Sequence, residues 1–232
     1  AEARRAPDVA AGAPRVGPVD DLSDLRVALF SDTWAPQVNG VARTLARLAD
    51  ALRERGAGVR VVTVRDPRAV PNEEEERWRG VPFPRYPELR LAAMRTARAE
   101  ALLRAHRATL VHVATPFGVG LAGRRAARRL GVPLVGSYHT HLAAYARHYG
   151  LGALAAPGWR FLRWFHDAGR RTYAPTHAVA DELRAHGLRD LAVWGRGVDV
   201  VRFAPAHRRV ALRERWGAAP DDLVVLSVGR LA

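Results

Sequence analysis

The sequence predicts an α/β fold built on a doubly wound parallel sheet. Short apolar runs rich in Val and Leu alternate with segments whose apolar residues repeat at helical spacing. The stretches between successive runs are long enough to hold a crossover helix, which a parallel pair of strands requires. Glycines stand at the turns where an apolar run meets a helical segment. In sheets of this kind ligands bind at the carboxyl ends of the strands.

The first strand–helix unit carries the strongest signal. The apolar run Leu25–Phe30 ends just before Asp32, and apolar residues then repeat at helical spacing over Val41–Leu52. Gly40 stands where the helix begins. There the free backbone N–H groups and the helix dipole favour an anion, and glycine lets a phosphate approach the backbone closely. Gly40 is therefore a candidate binding residue; the alternative is a plain turn glycine.

The remaining elements follow in alternation. Further strands are predicted at 59–64, 81–85, 110–113, 132–137, 173–175 and 191–194, and further helices at 96–106, 118–130, 159–171, 176–186 and 208–216. Four consecutive like charges, Glu73–Glu76, indicate a solvated loop or a fraying helix end. The run Leu223–Arg230 is typical of the first strand of a second sheet.

The predicted organisation has three parts. Residues 1–24 are rich in Ala, Pro, Gly and Arg and are expected to form a disordered leader. Residues 25–205 are expected to form the main α/β domain, and residues 206–232 the start of a second, truncated domain.

Composition narrows the function classes. The net charge is +14, and all 37 basic residues are Arg. Such a surface attracts phosphates or anionic lipid headgroups, although ordinary solvated faces are an equal alternative. Zinc-finger spacing, a basic heptad helix and aromatic RNA-binding signatures are missing from the sequence, which argues against nucleic acid as a partner. Cysteine is absent, so disulfides and thiolate chemistry are excluded.

An ordered set of motifs resembles glycosyltransferase family 4, whose members have the two-domain GT-B architecture with Rossmann-like halves. The motifs are Ser31-Asp32, Pro36 to Val41, Tyr138-His139-Thr140, Arg196 to Asp199 with Phe203 and Pro205, and Val228 to Leu231. Within that family the sequence is most similar to GDP-mannose-dependent α-mannosyltransferases and sulfoquinovosyl-diacylglycerol synthases. The resemblance implies that this chain is the N-terminal, acceptor-side half of such an enzyme.

That resemblance implies a retaining transfer of a hexose, with mannose favoured, from a nucleotide sugar to a lipid or glycan acceptor. The donor phosphate would assist deprotonation of the acceptor, and neither a metal nor another cofactor would be needed. Most donor contacts would lie in a second half beyond Ala232, so the chain alone is expected to be inactive. The implied location is the cytoplasm, with peripheral attachment to an anionic inner membrane face.

The resemblance also implies roles for individual residues. His139 would contact the transferred sugar as the catalytic residue, since imidazole can donate or accept a hydrogen bond near neutral pH. Gly40 and Arg230 would bind the donor, the guanidinium by neutralising the diphosphate. The alternatives are a structural histidine satisfied by the backbone and a solvent-exposed arginine at the chain end.

Acceptor-side candidates are Asp32, Arg43 and Tyr145. Arg43 has the alternative of a solvated helix face. A metal site formed by His139 with His141 and His148 is disfavoured, because no carboxylate or Cys follows at ligand spacing.

The aromatic helix predicted at 159–171 has two interpretations, a membrane-surface helix or a core helix with snorkelling arginines, and the second is preferred.

A different class of function also stays open. The chain could be a non-catalytic module that binds lipid or acceptor, or a subunit that pairs with a separate donor-binding half.

Overall fold

The computed structural model describes residues 21–83, 86–139 and 155–227. The strands are β1 (Arg26–Ser31), β2 (Gly58–Val64), β3 (Glu75–Trp78), β4 (Val81–Phe83), β5 (Tyr86–Leu91), β6 (Leu110–Val113), β7 (Leu134–Ser137), β8 (Arg171–Ala174) and β9 (Leu191–Val193). The helices are α1 (Gly40–Arg53), α2 (Thr96–His106), α3 (Gly118–Leu130), α4 (Ala155–His166), α5 (His177–Ala185) and α6 (Val210–Arg215).

Seven of these strands form one parallel sheet in the order β3-β2-β1-β6-β7-β8-β9. The chain first proceeds outward from β1 to β3 and then returns to place β6 on the other side of β1. This reversal is the topological switch point of a doubly wound sheet, and it lies between β1 and β6. The predicted fold class is therefore confirmed.

The central strands are buried on both faces, which explains their uninterrupted apolar runs. Along β1, Ala28 and Phe30 enter one core with residues of α2, α3 and α4. Val27 and Leu29 point to the opposite face and pack with Leu45 of α1. A strand that alternates between two cores has no polar face, so its sequence reads as a continuous hydrophobic stretch.

The solvated loop expected over Glu73–Glu76 holds for Glu73 and Glu74, which form an exposed turn, but is wrong for Glu75 and Glu76, which begin β3. Val61 of β2 pairs with Glu75. The Glu75 carboxylate accepts a hydrogen bond from the Trp34 indole at 2.8 Å and forms an ion pair with Arg77. These contacts compensate its charge locally. β3 is also an edge strand of the sheet, where charged side chains are tolerated.

Three further predictions differ from the structure by more than the ends of an element. The strand expected at 81–85 is the first arm of an antiparallel pair, β4 with β5, and β5 was not anticipated. Helix α4 ends at His166, because the chain then turns to enter β8 at Arg171. A strand is expected at 223–230. Residues 223–227, the part of this run that the structure describes, do not form one. A strand needs neighbours to hydrogen-bond with, and none is paired to this segment among the described residues.

The chain divides into two compact units, Ala1–Gly195 and Arg196–Ala232. The first contains the sheet with helices α1 to α5. The second contains a short 3₁₀ helix, Pro205–His207, and α6. Several large apolar side chains of the second unit are exposed, among them Phe203, Leu223 and Val225. Of the described helices, none is long and apolar enough to cross a membrane.

Candidate active site

The switch point joins β1 to β6 through a carboxylate and a hydroxyl. The Asp32 N–H donates to Thr115 Oγ1 at 2.8 Å, and the Thr115 hydroxyl donates to Asp32 Oδ2 at 2.6 Å. The Val119 N–H in the first turn of α3 donates to Asp32 Oδ1 at 3.1 Å. Asp32 therefore caps the N-terminus of α3 from a neighbouring strand, where a carboxylate also complements the helix dipole.

The Asp32 side chain is fully buried. Burial raises the pKa of its carboxyl to about 6, while hydrogen bonds from Thr115, Val119 and Gly120 act in the opposite direction. In this conformation the carboxylate has no exposed surface with which to contact an acceptor. The structure thus places this predicted acceptor-side candidate inside the fold, where it holds α3 against β1.

Two glycines make this close approach possible. A Cβ on Gly118 would lie 2.2 Å from the Ala92 carbonyl oxygen and 2.8 Å from Asp32 Oδ1. A Cβ on Gly120 would lie 1.8 Å from the Thr115 carbonyl oxygen. Any side chain at either position would push the start of α3 away from Asp32 and Thr115.

Hydrogen bonds also fix the loop that leads from β1 to α1. Asn39 is the N-cap of α1: its Oδ1 accepts from the Ala42 N–H at 2.9 Å, and its Nδ2 donates to Thr33 Oγ1 at 2.8 Å. Buried Trp34 donates its indole N–H to Glu75 of β3. The loop is therefore held at both ends, and Gly40 begins α1 at the carboxyl edge of the sheet.

Gly40 and Arg43 are both exposed on the first turn of α1. Asn39 Oδ1 accepts the N–H of Ala42, so the cap occupies one of the N–H groups of this turn. Exposure at a helix N-terminus suits an anion, as the sequence predicts for Gly40. For Arg43 the position is compatible both with an acceptor contact and with the solvated face.

The second polar cluster lies at the ends of β6 and β7. His112 Nε2 lies 2.8 Å from Ser137 Oγ, and the same oxygen lies 2.7 Å from His139 Nε2. His112 and Ser137 are buried, whereas His139 is half-buried. One hydroxyl thus bridges an interior imidazole and a partly accessible one. We call these three residues the His–Ser–His chain.

Burial sets the protonation of the interior histidines. It lowers the pKa of His112 to about 3, with a smaller contribution from repulsion by His139. It also lowers the pKa of His166, on α4, to about 4, with smaller contributions from Arg124 and His139. Both imidazoles are therefore neutral at pH 7.

Aromatic rings lie beside His139, the half-buried end of the His–Ser–His chain. The Trp194 ring, just after β9, lies edge-on to three rings, with centroid distances of 6.3 Å to His112, 6.0 Å to His139 and 6.2 Å to Tyr173. Such edge-to-face contacts are favourable and restrict ring orientation. Trp194 thus shields the histidines from one side and leaves His139 partly open.

Gly40 and His139 are brought to the same edge of the sheet. Gly40 follows β1 and His139 follows β7, and these two strands flank β6. Since neighbouring strands lie about 4.8 Å apart, β1 and β7 are separated by about 10 Å. Of the other predicted site residues, Tyr145 and Arg230 lie outside the described residues, as do His141 and His148.

Sequence reasoning overlooked three contributors to this edge: Thr115, His112 and Trp194. For His112 a signal was available. It interrupts the run Leu110–Val113, whose three remaining residues are all apolar. A histidine inside a buried strand needs a hydrogen-bond partner, and Ser137 on the neighbouring strand supplies it. Trp194 gave no comparable signal, because its contacts depend on a strand that is distant in sequence.

Helix α4 packs mainly through its aromatic face. Leu162 and Phe165 are buried, while Trp164 is 43% exposed. The guanidinium of buried Arg124 lies 3.7 Å from the Trp164 ring centroid and donates to the Phe165 carbonyl at 3.0 Å and the Trp164 carbonyl at 2.5 Å. Arg124 therefore binds the last carbonyls of α4, an arrangement that fits the preferred core-helix interpretation.

Within the described ranges, with 140–154 and 228–232 outside them, no group of three or more His, Cys, Asp or Glu could hold a metal ion.

Fold and site together define a doubly wound α/β domain that carries a histidine and a glycine-headed helix at its carboxyl edge. The chain belongs to glycosyltransferase family 4: the model of that family matches residues 38–202. This agrees with the family that the sequence motifs indicate.

Similar curated proteins carry the names of sugar transferases. The chain is 34% identical over 219 residues to a "GDP-mannose-dependent alpha-mannosyltransferase" of Corynebacterium glutamicum, covering 91% of this chain and 52% of the relative. A protein of the same name from Mycobacterium tuberculosis is 38% identical over 219 residues, covering 91% and 57%. "Sulfoquinovosyl transferase SQD2" of Arabidopsis thaliana is 31% identical over 229 residues, covering 94% and 44%. The chain thus spans about half the length of the curated relatives it matches.

Solved structures agree on the fold. A sucrose-phosphate synthase from Thermosynechococcus elongatus matches with a TM-score of 0.60 at 13% identity, covering 85% of this chain and 53% of that one. A glycosyltransferase from Rickettsia africae matches with a TM-score of 0.51 at 12% identity, covering 85% and 50%.

Proposed function

We propose that this chain is the acceptor-side half of a retaining hexosyltransferase that moves mannose from GDP-mannose to a lipid or glycan acceptor. Family membership supports the reaction class. The names of the relatives from Corynebacterium and Mycobacterium support the donor. Relatives named for sulfoquinovosyl transfer and for "Alpha-monoglucosyldiacylglycerol synthase" support a lipid acceptor.

The observation that carries the proposal is the position of His139. It follows a central strand at the carboxyl edge, is half-buried, and is oriented by Ser137 on one side and by Trp194 on another. A histidine held in this way can hydrogen-bond a sugar hydroxyl with little loss of entropy on binding. Gly40, two strands away, offers the start of α1 to the donor phosphate or the reacting sugar.

In the proposed reaction the acceptor hydroxyl oxygen bonds to the anomeric carbon of the donor sugar. The bond between that carbon and the diphosphate oxygen breaks, and the hydroxyl proton passes to the departing diphosphate. Attack and departure occur on the same face, which retains the anomeric configuration. Arg230 would neutralise the diphosphate, and Arg43 and Tyr145 would face the acceptor.

The proposal requires no metal or other cofactor. Asp32 acts only indirectly in it, because its bonds to Thr115 and Val119 hold the edge in place. The chain would work in the cytoplasm. Its charge of +14 would favour the anionic inner face of a membrane.

The test supplies the chain with a family 4 donor-binding half, fused or added separately, and measures sugar transfer. GDP-mannose is compared with UDP-glucose, and labelled product is divided into lipid-extractable and water-soluble fractions. We expect transfer from GDP-mannose into lipid. His139→Ala should reduce kcat by about 100-fold, the typical loss when a group that stabilises the reacting centre is removed.

The matched control is His177→Ala, which removes an exposed histidine at the start of α5. It should leave transfer unchanged. A folded two-half protein that consumes no nucleotide sugar contradicts the enzymatic proposal. Binding to anionic vesicles that high salt abolishes, in the absence of any transfer, would instead favour the non-catalytic lipid-binding module.

A further inference from the structure

We propose that Ser137 is a positioning residue that couples the tautomer of His139 to the tautomer of the buried His112. The coupling itself is a property of this chain. Its consequence for sugar transfer rests on the proposed function.

Strand register brings the three side chains together. His112 of β6 pairs with Val135 of β7. Paired residues in a sheet point to the same face, and side chains alternate along a strand, so Ser137 shares the face of His112. His139 is two residues further on. The observed distances of 2.8 Å and 2.7 Å to Ser137 Oγ agree with this placement.

The number of hydrogens available couples the two imidazoles through Ser137. Both contacts reach Ser137 Oγ through an Nε2 atom, and the hydroxyl has one hydrogen to donate. If it donates to His139 Nε2, then His112 Nε2 must carry a hydrogen and donate to the same oxygen. If it donates to His112 Nε2, then His139 Nε2 must carry the hydrogen. A third arrangement, in which both Nε2 atoms donate to Ser137 Oγ, would leave the hydroxyl hydrogen of the buried Ser137 without an acceptor among the described residues, which is unfavourable. In the two favoured arrangements the Nε2 atoms are therefore in opposite states.

The surroundings keep the interior member of the chain neutral. His112 is 4% exposed, and burial holds its pKa far below neutrality. Among the described residues, His139 also interacts electrostatically with His166 of α4, on which Arg124 of α3 acts in turn. Trp194 and Tyr173 add aromatic contacts from β9 and β8. Consequently His112 can change its tautomer, but it does not take up a proton near pH 7.

The coupling bears directly on how His139 meets a ligand. In one arrangement Nδ1 of His139 carries the hydrogen and is a hydrogen-bond donor. In the other Nδ1 carries no hydrogen and is an acceptor. A proton added to His139 is compatible only with the second arrangement, since both of its nitrogens then donate. Ser137 therefore links the hydrogen-bonding character of His139 to the buried His112.

The test is ¹⁵N NMR of the chain itself at pH 8, above the ordinary titration range of histidine. Two-bond ¹H–¹⁵N correlations distinguish a protonated ring nitrogen from a bare one. We expect the Nε2 signals of His112 and His139 to be of opposite type in the unmodified chain. Ser137→Ala should change the ratio of the two His139 tautomers, and Ser137→Thr, which keeps the hydroxyl, should keep the pattern of the unmodified chain.

Thr63→Val serves as the matched control. It removes the hydroxyl of another buried strand residue, one that has no hydrogen-bond partner among the described residues. It should leave the His139 signals unchanged.

A double-mutant comparison isolates the coupling from other effects. His112→Leu should change the His139 tautomer when Ser137 is present and should have no effect in the Ser137→Ala background. If His112→Leu shifts His139 equally in both backgrounds, or if both Nε2 atoms are of the same type in the unmodified chain, the coupling is absent. These outcomes do not depend on transferase activity, so failure of the coupling and failure of the proposed function are separate results.

Discussion

Two polar clusters lie at the same edge of the sheet, and they differ in what their hydrogen bonds leave available. At the β1–β6 junction, Asp32 is fully buried and binds Thr115 and the first turn of α3. At the ends of β6 and β7, the His–Ser–His chain runs from a buried imidazole to a half-buried one. The first cluster is closed, whereas the second opens at His139.

This comparison separates structural polar groups from candidate functional ones. Position at the carboxyl edge is common to both clusters, so position alone does not identify a catalytic group. Asp32 directs both carboxylate oxygens into the protein. His139 has one nitrogen bonded to Ser137 and keeps partial exposure. Substitutions in the closed cluster should therefore affect stability, and those at the open end should affect function.

The largest effect on stability is expected from Gly120→Ala in the closed cluster. The added Cβ would lie 1.8 Å from the Thr115 carbonyl oxygen, so the start of α3 must move and the bonds to Asp32 must weaken. We expect a loss of about 3 kcal/mol or more in the free energy of unfolding, measured by urea denaturation.

The same substitution at Gly158 is the control for Gly120→Ala. Gly158 is exposed within α4, and a Cβ there would meet nothing within 4 Å. Gly158→Ala should raise stability by about 0.5 to 1 kcal/mol through helix propensity alone. Equal effects at the two glycines would show that the close packing of α3 on Asp32 is not what stabilises the junction.

Asp32→Ala should come next in size. It removes the acceptor of the Thr115 hydroxyl and of the Val119 N–H, and both donors are then left in a buried place. We expect a loss of about 2 kcal/mol in the free energy of unfolding, since a buried unsatisfied group costs about 1 to 3 kcal/mol. Asp50→Ala, on the exposed face of α1, should change stability by less than about 0.5 kcal/mol. If Asp32→Ala lowers the free energy of unfolding no more than Asp50→Ala does, Asp32 does not cap α3.

The pH dependence of stability tests the same cluster by its charge. Burial raises the pKa of Asp32 to about 6 from an ordinary value of 3.8. Between these values the folded state binds more protons than the unfolded state, so the contribution of Asp32 to stability falls as pH rises. Asn does not titrate, so Asp32→Asn serves as the reference. Between pH 4 and pH 7 the free energy of unfolding of the unmodified chain should fall by about 2 kcal/mol more than that of Asp32→Asn. An opposite slope would mean that hydrogen bonds to the carboxylate outweigh its burial.

The fold was predictable because it depends on local pattern. Strands buried on both faces, such as β1 and β2, show long apolar runs, and crossover helices show helical spacing, so class and order followed from sequence. The acidic strand β3 could not be predicted in this way. Arg77 on the same strand pairs with Glu75, but the hydrogen bond from Trp34 comes from a separate segment and has no local trace in sequence. Likewise, the run 223–227 has strand-like composition but no paired neighbour among the described residues.

The site was predictable only in part. Motif and position identified Gly40 and His139, and the structure places both at one edge. Asp32 was ranked with the acceptor contacts because sequence shows where a strand ends and does not show how deeply its last residue is buried. The contributions of His112 and Trp194 depend on which strands become neighbours, so they emerge only from the assembled sheet.

The smallest effect on stability is expected at the open end of the second cluster. His139→Ala removes the hydrogen bond to Ser137 and the ring contact with Trp194 at a half-buried position, so it should lower the free energy of unfolding by about 1 kcal/mol, less than Asp32→Ala. Urea denaturation of His139→Ala beside Asp32→Ala measures the contrast directly. If His139→Ala destabilises the chain as strongly as Asp32→Ala does, then His139 is a structural residue like Asp32. The distinction between a closed and an open cluster would then no longer support a catalytic histidine.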